Sequence, residues 1–281
     1  MGAPKARANR FGVGLARAFG GAVIFMLPLL MTMEMWALGF EMPAGRLALL
    51  LGLAVPLLVG VSYIAGFEET FEIREDIVDA FVALAVAFVA AAAVLALFSI
   101  LRFSMPVREV VGKVALQAVP GGIGALLAQS QLSGTDDAED GDLRKARERR
   151  EASYPLQLFT MVVGAIFLAF NVAPTEEITL IALQAHPWQL ALVAIISVAI
   201  MHAFMYGLDF AGQHAVQEGE SARTIFIRYT VVGYALALGV SLYMLWTFGR
   251  SEGLAFAPLV ALTVVLGFPA AIGAAAARLI L

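Results

Sequence analysis

Two carboxylates stand at equivalent places in two long apolar segments of the chain. Glu34 follows an apolar run from Phe19 to Met33, and Glu177 lies near the end of a second run. An ionised carboxylate at membrane depth costs several kcal/mol unless it is hydrated, paired or protonated, and such residues mark ion paths. We therefore predict that Glu34 and Glu177 bind a cation. The alternative is that each carboxylate only caps the outer end of a helix.

The residues around Glu177 add further oxygen ligands. Glu176 is its neighbour, and Asn171 and Pro174 precede it. A proline breaks or kinks a helix and frees a backbone carbonyl one turn earlier. Membrane proteins hold dehydrated cations with broken helices of this kind and a carboxylate. We predict a cation site that draws on Glu34, Glu177, Glu176 and Asn171; a hydrated outer loop around Glu177 is the alternative.

The two carboxylates coincide when the chain is aligned with itself. Aligning Gly21 with Gly164 without a gap gives ten identities up to Phe67, where about four are expected for a composition this rich in Ala, Leu and Val. The match returns near the end of each half, where Pro120-Gly-Gly-Ile-Gly-Ala aligns with Pro269-Ala-Ala-Ile-Gly-Ala. Internal repeats are typical of transporters and channels, whose substrate path lies between the repeats.

Composition places the chain in a membrane. Its 281 residues are 61% hydrophobic and 14% charged, with a mean hydropathy of +0.87, whereas about a quarter of a soluble domain is charged. The absence of cysteine excludes disulfides and thiolate chemistry, and a net charge of −4 gives no basis for nucleic-acid binding. Nucleotide-binding, hydrolase and metalloprotease motifs are missing from the sequence. We therefore predict no enzyme activity, no catalytic residue, no cofactor and no metal cluster.

Eight apolar segments have about the 20 residues that cross a bilayer as a helix. They cover residues 12–38, 45–66, 77–102, 107–131, 154–173, 187–209, 223–248 and 253–280. Thirteen Lys and Arg fall on the side of the N-terminus and five on the other, which predicts that both termini are cytoplasmic. The first apolar run is too long for a cleaved signal peptide, so we expect a retained helix.

These spans predict an all-α polytopic membrane protein with eight transmembrane helices, arranged as two parallel four-helix repeats. The first repeat covers residues 1–132, a charged cytoplasmic linker covers 133–153, and the second repeat covers 154–281. Because each repeat has four spans, both copies enter the membrane from the same side and their pseudo-twofold axis follows the membrane normal. Glu34 and Glu177 are then expected at equal depth, within one polar cavity.

An acidic segment, residues 67–79, lies on the predicted cytoplasmic side, which is usually basic. We expect it to extend a helix, with its carboxylates in solvent or facing the linker arginines. Glu68, Glu69 and Glu72 would concentrate cations at a cytoplasmic mouth; pairing with the linker is the alternative of equal weight.

His202 stands in the middle of the sixth predicted span. Histidine titrates near neutral pH, which suits proton-linked gating. A hydrogen-bonded packing role is the commoner one for a lone histidine among apolar residues.

Three stretches, Glu34-Met-Trp, Phe67-Glu-Glu-Thr-Phe and Val119-Pro-Gly-Gly-Ile-Gly, resemble a family of bacterial integral membrane proteins with no assigned activity. The resemblance extends over nearly the full chain, and it implies a multi-pass protein of the bacterial inner membrane. We predict an ion channel or secondary transporter for a cation, which is a proton, a monovalent ion or a divalent ion. The partners are this cation and the lipid bilayer, and a homo-oligomer is compatible with the prediction. The alternative is a non-transporting sensor or assembly protein that signals through its acidic loop and linker.

Overall fold

The apolar segments form helices because a helix satisfies its backbone N–H and C=O groups internally, as a membrane requires. A computed structural model describes residues 3–65, 73–131, 153–204 and 222–280, and it contains no strand in these ranges. The chain divides into two compact units, Met1–Gly134 and Thr135–Leu281, here called unit 1 and unit 2.

The helices of unit 1 surround one central helix. In chain order they are α1 (Ala3–Leu30), α2 (Met33–Glu41), α3 (Ala44–Ala65), α4 (Ile73–Leu97) and α5 (Val107–Gln131). Helix α5 contacts α1, α2, α3 and α4, and 83% of its apolar span is buried. The first predicted span, 12–38, is therefore two helices, because α1 ends at Leu30 and a turn precedes α2.

Unit 2 has a central helix at its carboxyl end. Its described elements are α6 (Tyr154–Val172), α7 (Glu177–Gln184), α8 (Pro187–His202), α9 (Ala222–Ile225), a π-helical segment (Phe226–Val231), α10 (Val232–Thr247) and α11 (Phe256–Ile280). Helix α11 contacts α6, α7, α8 and α10.

Seven segments of the described residues are long and apolar enough to cross a membrane. They are Gly12–Leu30, Ala44–Ile64, Ile73–Leu97, Val107–Ala128, Tyr154–Val172, Phe226–Thr247 and Phe256–Arg278. The sixth predicted span, 187–209, begins as the shorter apolar helix α8, and its residues from 205 onward lie outside the described ranges. A multi-pass helical protein is confirmed, whereas the count of eight spans and the repeat arrangement stay predictions.

In each unit the first long helix crosses the central helix at a pair of glycines. Gly21 of α1 lies against Gly124 of α5, and an added Cβ at either glycine would overlap the carbonyl oxygen of the other. Gly164 of α6 and Gly273 of α11 make the same contact in unit 2. Small residues let helix backbones approach closely in membranes. The glycines of the two Ile-Gly-Ala motifs therefore fix how each central helix packs.

Candidate functional site

The break between α1 and α2 positions Glu34. Thr32 Oγ1 donates a hydrogen bond to the carbonyl of Leu29 (2.9 Å), and Trp36 Nε1 donates one to the carbonyl of Leu30 (3.0 Å). These side chains satisfy carbonyls that the end of a helix leaves unpaired. Glu34 is half-buried in the first turn of α2, where a carboxylate interacts favourably with the helix dipole. Its position stabilises the start of α2, with or without a bound ion.

At the corresponding break in unit 2, two side chains donate hydrogen bonds to backbone carbonyls. Thr175 Oγ1 donates to the carbonyl of Val172 (2.8 Å), and Asn171 Nδ2 donates to the carbonyl of Phe167 (2.7 Å). Asn171 Oδ1 is buried and has no hydrogen-bond partner in the described part of the chain. This amide oxygen is therefore an acceptor that a ligand or a water molecule could use.

A positive charge lies beside the same break. A guanidinium nitrogen of Arg250 donates a hydrogen bond to the carbonyl of Pro174, so the carbonyl adjoining the predicted ligands is already bound. Glu176 and Glu177 are both exposed at the start of α7. Because a guanidinium stays charged in proteins, a cation held here by Asn171, Glu176 and Glu177 would experience its repulsion.

The structure places each predicted ligand within its own unit. Glu34 and Glu177 both lie in the first turn of a short helix, α2 in unit 1 and α7 in unit 2. Their convergence in one polar cavity at equal depth stays a prediction. Glu68, Glu69 and Glu72 lie outside the described residues, and the cytoplasmic mouth also stays a prediction.

A largely buried ion pair on the central helix of unit 1 adds a site beyond the predicted ligands. Lys113 Nζ lies 2.6 Å from Glu109 Oε1, and the two side chains are only 9% and 18% exposed. One turn further along α5, Gln117 is buried, and its Oε1 has no hydrogen-bond partner among the described residues. Residues four apart share one face of a helix. Glu109, Lys113 and Gln117 therefore form a polar face of α5 that points toward the interior of unit 1. The four-residue spacing of these residues within an apolar span is the sequence signal for this site.

A cavity of about 480 Å³ adjoins this ion pair. It is lined by Met31, Trp36, Phe98, Ser99, Ile100, Arg102, Met105 and Lys113. Ser99 has a φ of 59°, a left-handed conformation that costs a non-glycine residue roughly 1–2 kcal/mol. Two cationic side chains and an indole among apolar walls suit a small solute with a negatively charged group.

Asp76, in the first turn of α4, corrects one expectation for the acidic segment. Its side chain is buried rather than solvated, and Ser62 Oγ of α3 donates a hydrogen bond to its Oδ1 at 3.3 Å. Glu75, by contrast, is exposed as expected. A buried polar group needs hydrogen bonds to offset the loss of water, so Asp76 joins the ends of α3 and α4.

We expect Ser62→Ala to lower the free energy of unfolding by about 1 kcal/mol, because a buried hydrogen bond between α3 and α4 is lost. Thermal unfolding of the purified protein in detergent measures this change. Ser241→Ala is the matched control, since the hydroxyl of Ser241 donates to the carbonyl of Ala237 in its own helix. Equal losses in the two variants would show that the contact with Asp76 contributes nothing specific.

His202 has a hydrogen-bond partner in the π-helical segment. Its Nδ1 lies 2.9 Å from Thr230 Oγ1, and its ring packs edge-on to Phe226 with centroids 5.2 Å apart. Thr230 is fully buried. The histidine therefore joins α8 to the π-helical segment, as the packing alternative describes, and proton-linked gating stays a prediction.

In each unit, long apolar helices pack around a central helix. This arrangement defines a polytopic α-helical membrane protein. The model of the DUF2391 family of integral membrane proteins matches residues 14–281, and the chain belongs to this family, a domain of unknown function. No curated protein and no solved structure matches the chain.

Proposed function

We propose that the protein is a secondary transporter driven by a cation, and that the cation is a proton. The observation that carries the proposal is the Glu109–Lys113 pair, with an N–O distance of 2.6 Å. Charged side chains inside a membrane are expensive, and they are found mainly along ion and proton pathways. A carboxylate within hydrogen-bond reach of an ammonium group has the geometry that proton transfer between side chains requires.

A comparison of the two central helices indicates that packing alone does not require this pair. The alignment of Pro120 with Pro269 places Lys113 on Leu262 and Gln117 on Leu266. Both leucines are buried in unit 2. At these aligned positions, the central helix of unit 2 has leucines, whereas the central helix of unit 1 has a lysine in an ion pair and a glutamine. This difference favours a functional reason for the charges of unit 1.

The adjoining cavity supplies a place for the transported solute. Lys113 belongs both to the ion pair and to the cavity wall. A solute with a negatively charged group would compete with Glu109 for the ammonium group of Lys113, and Glu109 would then be free to accept a proton. Solute binding and proton uptake are coupled in this scheme through one lysine.

We also infer that the two units arose by duplication. The aligned residues Thr32 and Thr175 each donate to the carbonyl three residues earlier. The aligned glycines Gly21 and Gly164 each lie against the glycine of an Ile-Gly-Ala motif. Two independent contacts therefore recur at aligned positions, which supports the predicted repeat. The parallel arrangement about the membrane normal belongs to the same proposal.

Proton movement in proteoliposomes tests the transport proposal. A pH-sensitive dye inside the vesicles reports proton entry driven by an imposed membrane potential, with small carboxylate and phosphate solutes supplied outside the vesicles. We expect Glu109→Gln to slow the entry at least about tenfold, because it removes the proton acceptor, while Arg108→Gln, at an exposed neighbouring position, leaves it unchanged.

Two further variants separate this site from the predicted carboxylate path. If Glu34→Gln and Glu177→Gln abolish proton entry and Glu109→Gln does not, the path follows the predicted carboxylates and the Glu109–Lys113 proposal is wrong. If proton entry with these solutes present is no faster with the wild-type protein than with empty vesicles, the proposal of a proton-driven transporter is wrong.

A further inference from the structure

Arginine and tyrosine side chains gather at one end of unit 2. This Arg–Tyr cluster consists of Tyr154 and Gln157 of α6, Arg228 and Tyr229 of the π-helical segment, and Arg278 of α11. The guanidinium of Arg278 lies 4.3 Å from the ring centroid of Tyr229, and that of Arg228 lies 4.7 Å from the centroid of Tyr154. The two tyrosine rings meet edge to face at 5.4 Å.

Direct hydrogen bonds hold the cluster in shape. Arg278 Nη2 donates to Gln157 Oε1 at 2.8 Å, and the hydroxyl of Tyr154 donates to the carbonyl of Arg228 at 2.8 Å. Arg278 is only 7% exposed, so its charge is fixed in place rather than extended into water. The cluster is therefore a preformed arrangement that involves three helical elements.

Two positive charges lie close together here. Their guanidinium groups lie near one ring, at 4.3 and 6.0 Å from the centroid of Tyr229. Arginine binds phosphate oxygens with two parallel N–H donors, which makes phosphate the anion of best fit.

The cluster lies where lipid headgroups lie. Three membrane spans begin or end at its residues, since one begins at Tyr154, another begins at Phe226 and a third ends at Arg278. Tyrosine prefers this boundary between apolar chains and water. The distribution of Lys and Arg predicts that this end is cytoplasmic, the side whose leaflet is rich in anionic lipids.

The neighbouring surface suits acyl chains. Phe226, Ile227 and Val231 of the π-helical segment are 37%, 53% and 44% exposed. Apolar side chains next to a pair of arginines match a molecule with a charged head and an apolar tail. A π-helical turn is an uncommon element that is frequent at functional sites, and here it carries both Arg228 and this apolar surface.

We propose that the Arg–Tyr cluster binds the phosphate of an anionic phospholipid headgroup, with the acyl chains against the π-helical segment. The proposal does not depend on transport. It assigns the exposed Arg228 as the phosphate ligand, with the largely buried Arg278 beside it as a second positive charge.

Lipid titration of the purified, delipidated full-length protein in detergent tests the proposal. The probes are phosphatidylglycerol, phosphatidylcholine and inorganic phosphate, and native mass spectrometry counts the bound lipids while thermal unfolding reports stabilisation. We expect phosphatidylglycerol to bind more tightly than phosphatidylcholine. Arg228→Gln should weaken phosphatidylglycerol binding about tenfold, because a hydrogen bond to a charged group is lost.

Arg223→Gln is the matched control, since it removes one exposed positive charge from the residues just before the π-helical segment. Equal weakening by Arg223→Gln and Arg228→Gln would show general attraction to anionic lipid and overturn the site. Equal binding of phosphatidylglycerol and phosphatidylcholine would also overturn it. Stabilisation by inorganic phosphate alone would replace the lipid with free phosphate. If Arg278→Gln fails to fold, phosphatidylglycerol binding by Arg228→Gln still tests the proposal, because Arg228 is exposed.

Discussion

Lys113→Met is expected to destabilise the protein by about 3 kcal/mol, because it leaves a largely buried carboxylate without this partner. Glu109 is only 18% exposed on its side chain, so water does little to replace the lysine. Chemical unfolding in mixed detergent measures the loss. Arg108→Met, one residue before Glu109 and exposed, is the control and should change stability little.

The double variant Glu109→Leu with Lys113→Met separates stability from function. Replacing both members of a buried pair with apolar residues is often neutral or stabilising, and unit 2 already carries Leu262 at the position aligned with Lys113. We expect the double variant to regain most of the lost stability while proton entry stays low. A double variant that is stable and still conducts protons at the wild-type rate would contradict the proposed relay.

Gly21→Ala is expected to cost about 1–3 kcal/mol of stability, since the new methyl group meets a backbone that cannot move aside. The added Cβ would overlap the carbonyl oxygen of Gly124 and the side chain of Ala128. Gly20→Ala is the matched control one residue earlier, where nothing lies within 4 Å of the added Cβ. Thermal unfolding and the yield of monodisperse protein measure both variants.

The same comparison can be made in unit 2. Gly164→Ala should be as destabilising as Gly21→Ala, because its Cβ would overlap the carbonyl of Gly273, whereas Gly239→Ala meets no atom within 4 Å. Matching losses in the two units would support the proposed duplication. Equal stabilities of Gly21→Ala and Gly20→Ala would mean that the α1–α5 approach is looser than described.

The helices could be predicted from the sequence because their cause is local. An apolar stretch long enough to cross a membrane forms a helix with its own backbone, whatever surrounds it. The break at Thr32 could not be predicted in this way, since the residues before Glu34 continue the apolar run. It is stabilised by side-chain hydrogen bonds from Thr32 and Trp36 that exist only in the folded turn.

The predicted cation site also shows what could not be predicted from the sequence. Pro174 correctly marks a break in the helical structure. Helix α6 ends before this proline, and α7 begins after it. The carbonyl of Pro174 accepts a hydrogen bond from Arg250, which is distant in the sequence. No local pattern relates the two residues, because only the packing of the unit brings them together.

The sequence by itself determined a multi-pass helical membrane protein, the approximate positions of most of its spans, and its resemblance to a family of integral membrane proteins of unknown function. Hydrophobic length and backbone hydrogen bonding fix these properties segment by segment. Only the tertiary structure decided which polar residues turn inward. Lys113 is buried beside a cavity, Asp76 is buried against Ser62, and Glu177 is exposed. The physical reason is that burial of a charge depends on neighbouring helices, and their contacts are set by crossings such as that of Gly21 with Gly124.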